Sequence, residues 1–170
     1  SSDVCSSDLM ADTVAVMNKG KIEQMGAPAA LYDLPRTRFV ANFLGQANIG
    51  EGTIEGSDGD RVVADVLGTK VQIPKSRTQV HEGKVLFGVR PEKVTVSRKQ
   101  PEGVGNDVKG VVRDVSFLGV ATSYLVDMPS GATWSCYEQN LDVDPIDLRP
   151  GDEVWLTWNP GHAFGVPDAS

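Results

Sequence analysis

Val85-Leu86-Phe87-Gly88-Val89-Arg90-Pro91-Glu92-Lys93-Val94-Thr95-Val96, residues 85–96, decides the fold. A nearly unbroken apolar run predicts a strand at 85–89. The turn Arg90-Pro91-Glu92 ends it, and a second short strand is expected at 94–96. The same texture extends both ways. Upstream, 52–56 and 61–66 flank Ser57-Asp58-Gly59-Asp60 as a hairpin, and 70–73 alternates polar and apolar before Pro74. Downstream, a loop at 101–107 leads to strands at 108–117, 122–128 and 133–137, and the last clear strand is 153–158. Short strands at this spacing with no helical period between them define a mainly β fold, a small sandwich or barrel. Gly110 and Gly119 interrupt strands, where bulges or barrel corners are expected.

Composition agrees. The chain has 170 residues, room for about one domain and a small piece of a second. Only 6% of residues are aromatic, against 18 Gly and 10 Pro, a balance that favours turn-rich β structure over a helical bundle. The net charge of -7 opposes a phosphate backbone, so no nucleic-acid partner is expected. Cys5 and Cys136 lie far apart, and His81 and His162 are isolated. No metal site or thiol chemistry follows, and a reducing cytoplasm is the simplest compartment. No apolar run approaches the length of a membrane span, and the start lacks the pattern of a signal peptide.

Ahead of the β-rich region, the chain changes character. Residues 1–9, SSDVCSSDL, read as a non-native leader of repeated SSD words. Strands at 13–17 and 21–25 around Asn18-Lys19-Gly20 make a hairpin, and Pro28 opens a short helix that Pro35 stops. A second helix is expected from the N-cap Thr37 to a C-cap at Gly45, with Phe39, Val40, Phe43 and Leu44 forming one face for core packing.

The string from 10 to 48, MADTVAVMNKGKIEQMGAPAALYDLPRTRFVANFLGQAN, resembles the closing segment of the ATPases of ABC importers that carry an extra C-terminal domain. Val89-Arg90-Pro91-Glu92 resembles that domain's VRPE turn. Val115-Ser116-Phe117-Leu118-Gly119 with Tyr124 is similar to its YLG…Y element, and Gly151-Asp152-Glu153-Val154 with Trp158-Asn159-Pro160 to its closing element. Together they resemble the transport-associated oligonucleotide-binding-like (TOBE) barrel of spermidine/putrescine-type subunits. The implied layout is 10–48 as the end of a nucleotide-binding domain and 49–170 as the regulatory barrel. Where relatives place a carboxylate before the last histidine, this chain has Gly161 before His162.

The resemblance implies a parent subunit that binds MgATP, pairs with a second copy of itself, drives membrane permease subunits and serves an extracellular or periplasmic substrate-binding protein. It also implies a place at the inner face of the cell membrane. No GxxxxGK[ST] loop, signature motif, acidic Walker B strand or switch histidine occurs in the sequence, so no cofactor and no ATP hydrolysis are expected of this segment alone. The alternative is a barrel that binds a small ligand, an oxyanion or a polyamine.

Candidate regulatory or dimer contacts are Arg90, Glu92, Phe117, Gly119, Tyr124, Gln139 and Asn140. Arg90 and Glu92 suit an inter-domain or inter-subunit ion-pair network, or a solvated turn. Asn140 is expected to bond its own backbone in a turn. Asp142, Asp144, Asp147, Asp152 and Glu153 read as a solvated acidic face, or as a polyamine site if they converge. Trp134, Trp155 and Trp158 are expected in the core or at the barrel rim.

Overall fold

The computed structural model describes residues 12–102, 106–140 and 146–168. The leader, Cys5, Asp142 and Asp144 lie outside the described residues. The hairpin forms as β1 (Val14–Asn18) and β2 (Lys21–Gly26), antiparallel and turned through Lys19-Gly20. Helix α1 (Pro28–Asp33) starts on its proline. Helix α2 (Arg38–Phe43) starts on the Thr37 cap, whose hydroxyl accepts a bond of 3.2 Å from the Val40 amide. It ends at Leu44 rather than Gly45, because the Leu44 amide closes the last turn onto the Val40 carbonyl.

Ten strands follow: β3 (Asn48–Asp58), β4 (Arg61–Val66), β5 (Thr69–Pro74), β6 (Gly83–Val89), β7 (Val94–Ser97), β8 (Asp107–Phe117), β9 (Ala121–Asp127), β10 (Thr133–Gln139), β11 (Glu153–Trp158) and β12 (Phe164–Pro167). They make two antiparallel five-stranded sheets, ordered β12-β6-β3-β4-β5 and β10-β9-β8-β11-β7. In the second sheet the end strands β7 and β10 pack against each other, so the sheet nearly closes into a barrel.

Strand β12 lies beyond the last strand legible in the sequence. It pairs with β6, and the ring of Phe164 covers Gly88, where an added Cβ would lie 2.3 Å from that ring. Gly110 is not a bulge; it sits in register opposite Val154. The register shifts fall at Val16/Met17, Ile54/Gly56 and Val112/Asp114 instead. Past the last of these, β8 is exposed apart from the half-buried Val115, and with β9, whose Thr122 and Tyr124 stay buried, it forms an arm that turns through Gly119 at φ 83°.

One core joins the sheets. Phe87, Trp134 and Trp158 meet at its centre with ring centroids 5.4–5.8 Å apart, at distances favourable for aromatic pairs. Trp155 is only half-buried, at the rim. A second, small apolar layer of Ala41, Leu86, Phe164 and Val166 ties α2 to β6 and β12. A third, of Val16, Leu31 and Val40, ties the hairpin to the helices. Phe43 departs from the expected core role. It stacks on Phe39 at 5.8 Å but is 63% exposed.

Two buried asparagines sew the sheets together. Asn48 Nδ2 donates to the Ser135 carbonyl at 2.7 Å, and the Ser135 amide donates to Asn48 Oδ1 at 2.8 Å. Asn106 Oδ1 accepts from the Gln72 amide at 2.7 Å. Asn48→Ala strands a buried donor and acceptor on β10. Equilibrium urea unfolding is expected to show a loss of about 2–3 kcal/mol.

Candidate functional site: an arginine socket between helices and barrel

Strand β6 ends at Val89, and the proline turn at 91–93 stops it from continuing. Arg90 stays extended, at φ -72° and ψ 143°, and its guanidinium lies beneath the two helices. It is 3% exposed. Nη1 donates to the carbonyls of Ala41 (2.8 Å), Gly45 (3.1 Å) and Gln46 (3.2 Å). Nε and Nη2 donate to the Tyr32 carbonyl at 3.3 and 3.0 Å. These carbonyls lie in and just past the last turns of α1 and α2, where helices leave acceptors unpaired and carry partial negative charge. The guanidinium also lies 4.1 Å from the centroid of the Tyr32 ring. Burial lowers the Arg90 pKa, and Tyr32, Glu92 and Asp33 work against that shift. An arginine keeps its charge in such a place.

Glu92 does not pair with Arg90. Its carboxylate accepts a bond from the Tyr32 hydroxyl. Burial first, then that bond, pushes the Tyr32 phenol up to about 12. Tyr32 is therefore held from both sides, by a cation on its ring and a carboxylate on its hydroxyl.

A second arginine bridges the same elements, and the sequence did not single it out. Arg77 follows β5 in a single 3-10 turn. Its Nη1 and Nη2 meet the Asp33 carboxylate at 2.9 and 3.2 Å, Nη2 also donates to the Asp33 carbonyl at 2.8 Å, and Nε donates to the Ala163 carbonyl at 2.7 Å. Arg77 thereby lowers the Asp33 pKa. Its Lys75-Ser76-Arg77 context reads as solvent-facing, and its partner is 44 residues away, so no local signal reveals it. Gln46 adds a third bridge, accepting from the Tyr137 hydroxyl at 2.7 Å.

The other candidates gather elsewhere. Phe117, Leu118 and Val120 at the arm tip are 74%, 59% and 83% exposed. Asn140 braces this tip rather than bonding its own backbone. Its Nδ2 donates to the Gly119 carbonyl at 2.9 Å, its Oδ1 accepts from Thr122 at 2.8 Å, and its amide donates to the Val120 carbonyl. Gln139 is exposed in β10, opposite Ala121. Tyr124 lies inside, 2% exposed, with its hydroxyl 3.0 Å from Glu138 Oε2 and 3.3 Å from the Ile146 carbonyl. Burial and then the Glu138 bond push its phenol up to about 12.

The described members of the acidic run are each met by a cation. Arg149 reaches Asp147 at 3.4 Å, Arg98 reaches Asp152 at 3.3 Å, and Lys109 reaches Glu153 at 3.2 Å. Among the described residues, no group of three or more His, Cys, Asp or Glu is placed to hold a metal. None of their helices is long and apolar enough to cross a membrane.

Residues 87–166 match the TOBE domain family. That stretch of the chain is a TOBE domain. Over about nine-tenths of its length the chain is similar to spermidine/putrescine import ATP-binding proteins. It is 37% identical over 158 residues to the spermidine/putrescine import ATP-binding protein PotA of Thermobifida fusca, a match covering 93% of this chain and 41% of that protein. The PotA of Rubrobacter xylanophilus is 40% identical over 159 residues, covering 91% and 41%, and that of Thermotoga maritima 32% over 162 residues, covering 92% and 44%. The chain thus spans about two-fifths of the length of these relatives. The fold alone is shared with the cytoplasmic molybdate-binding protein ModG, crystallised with molybdate. That comparison has a TM-score of 0.59 at 18% identity and covers 71% of this chain and 96% of ModG.

The lowered Asp33 pKa has a definite sign. The carboxylate contributes stability above its unfolded value near pH ~4, and that contribution disappears as pH falls through the lower folded value. Asp33→Asn is therefore expected to be less stable than the parent chain at pH 7 and equal to it in strong acid. Thermal melts across the acid range read the convergence, and parallel curves contradict it. Cys136 is 1% exposed, and burial pushes its thiol up to about 12. In a Cys5→Ser background it is expected to resist a thiol reagent at pH 8 until the chain is unfolded.

Proposed function

We propose that this chain is the C-terminal regulatory and dimer-stabilising part of the ATP-binding subunit of an ABC importer for polyamines. The continuity of the match to the PotA proteins carries this reading. It runs over 93% of the chain, across the hairpin, the helices and the barrel alike. Residues 10–48 then complete the nucleotide-binding domain, and 49–170 form the regulatory domain. MgATP belongs to the longer subunit, since this sequence contains no phosphate-wrapping loop.

Two surfaces divide the work. At the socket, Arg90 and Glu92 join the end of the ATPase to the barrel. At the arm tip, Phe117, Gly119, Gln139 and Asn140 supply the contact with a second copy of the subunit, and Tyr124 supports the arm from within. The braced backbone of the tip supports this role, because an apolar contact held in place before docking loses little entropy on binding. Permease subunits and, through them, an external binding protein complete the machine at the inner face of the membrane. The paired state of Asp147, Asp152 and Glu153 favours a contact domain over a polyamine sensor.

The test replaces the corresponding segment of the Thermobifida fusca protein with residues 49–170 and measures ATP-driven spermidine uptake with that protein's own permease. Uptake is expected to persist. A folded, dimeric chimera that splits ATP without transporting overturns the reading.

A further inference from the structure

We propose that the mechanical boundary in this chain lies at Gly26-Ala27, ahead of α1, so that both helices and the barrel move as one body pinned by Arg90. Composition changes at residue 49, and a hinge there is the simple expectation. The bonds run across that point instead.

Arg90 alone spans it five times, reaching Tyr32, Ala41, Gly45 and Gln46. Arg77 holds Asp33 at the end of α1 and Ala163 beside β12. Glu92 takes the Tyr32 hydroxyl, and Tyr137 takes Gln46. The fully buried layer of Ala41, Leu86, Phe164 and Val166 fills the space between. Shifting the helices by the width of one bond leaves a buried cation facing no acceptor, because among the described residues no carboxylate pairs with it. Loss of the partners of a buried charge is among the costliest local changes a fold can suffer.

Fewer polar bonds hold the hairpin. Its side chains touch the helices through Val16 and through Gln24, which bonds the Leu34 carbonyl at 3.1 Å and the Arg36 amide at 2.9 Å. Met17, Ile22 and Met25 are more than half exposed. The link between hairpin and α1 is Gly26-Ala27, and Ala27 caps α1 without a side-chain bond. The stiff and soft joints are thus in the reverse order from that implied by composition.

This boundary rests on the geometry alone. Only its consequence, that motion of an ATPase enters through the hairpin and reaches the barrel undiminished, rests on the reading above.

Hydrogen exchange on the whole chain tests the first without the second. In the parent chain the amides of Ala41 and Leu44, bonded to Thr37 and Val40, are expected to exchange as slowly as those of β4 and β6. The amides of β1 and β2 are expected to exchange about tenfold faster or more. Arg90→Lys keeps the charge and loses the fork. It is expected to speed exchange at Ala41 and Leu44 about tenfold while β8 and β9 hold their rates. Helix amides that exchange with the hairpin in the parent chain overturn the proposal, and this comparison needs no variant. So does an Arg90→Lys chain whose helix amides are unchanged, or one in which helices and barrel open together.

Discussion

The barrel depends on a side chain that acts as a strand. Asn48 presents one donor and one acceptor to Ser135, with the same pairing that two extended residues exchange in an antiparallel ladder. At that point the backbone of β3 pairs with Val89 of β6 in the other sheet, and the Asn48 side chain makes the bond to β10. The asparagine carboxamide is the smallest side chain that offers a donor and an acceptor on two separate atoms. Trp134, beside Ser135, bonds the Ile49 carbonyl at 3.3 Å and brings its ring onto Phe87. The contact of the two sheets and the position of the aromatic cluster therefore follow from one residue. β6 is fixed within the same layer, and with it the place where Arg90 emerges.

Arg90 shows why the chain needs neutral acceptors at the junction. A carboxylate partner would add a second charge to be stripped of water, and the attraction gained in return often only breaks even. Backbone carbonyls at helix ends impose no such cost, since they would otherwise need water or a cap. The helices are only six residues each, too short to be stable alone. Their order comes from outside, from the guanidinium below and the apolar layer beside it. Arg77 repeats the device with a carboxylate that is largely solvated, where a charged partner is cheaper to keep.

Where information is local, the sequence discloses it. The hairpin at 13–25, the Pro28 start, the Thr37 cap and most strands follow from alternation and turn chemistry within a few residues. β12 escapes because Phe-Gly-Val-Pro is too short to show a period and ends in a proline. Its identity as a strand comes from β6, some 76 residues earlier in the register. The side-chain partners of the site escape for the same reason. The motif Val-Arg-Pro-Glu draws attention to Arg90 and Glu92, but nothing in it reveals that one takes carbonyls and the other a tyrosine. Asn140 offers its amide across a strand end instead of to its own turn, a choice set by the arm. Phe43 repeats a helical period correctly and still faces outward, because a period gives the direction of a side chain and not what lies opposite.

The pairing of Phe164 over Gly88 bears on how the molecule is made. β6 is complete once residue 89 has been synthesised, yet its outer edge stays open until β12 emerges. Asn48 likewise waits 87 residues for Ser135. Contacts of such separation form late and slowly, because the loop they close must be ordered first. During translation, the largely apolar strand β6 is therefore exposed along one edge while some 75 further residues are made. The nascent chain must be kept from pairing with its neighbours on the polysome, and the last strand acts as the seal.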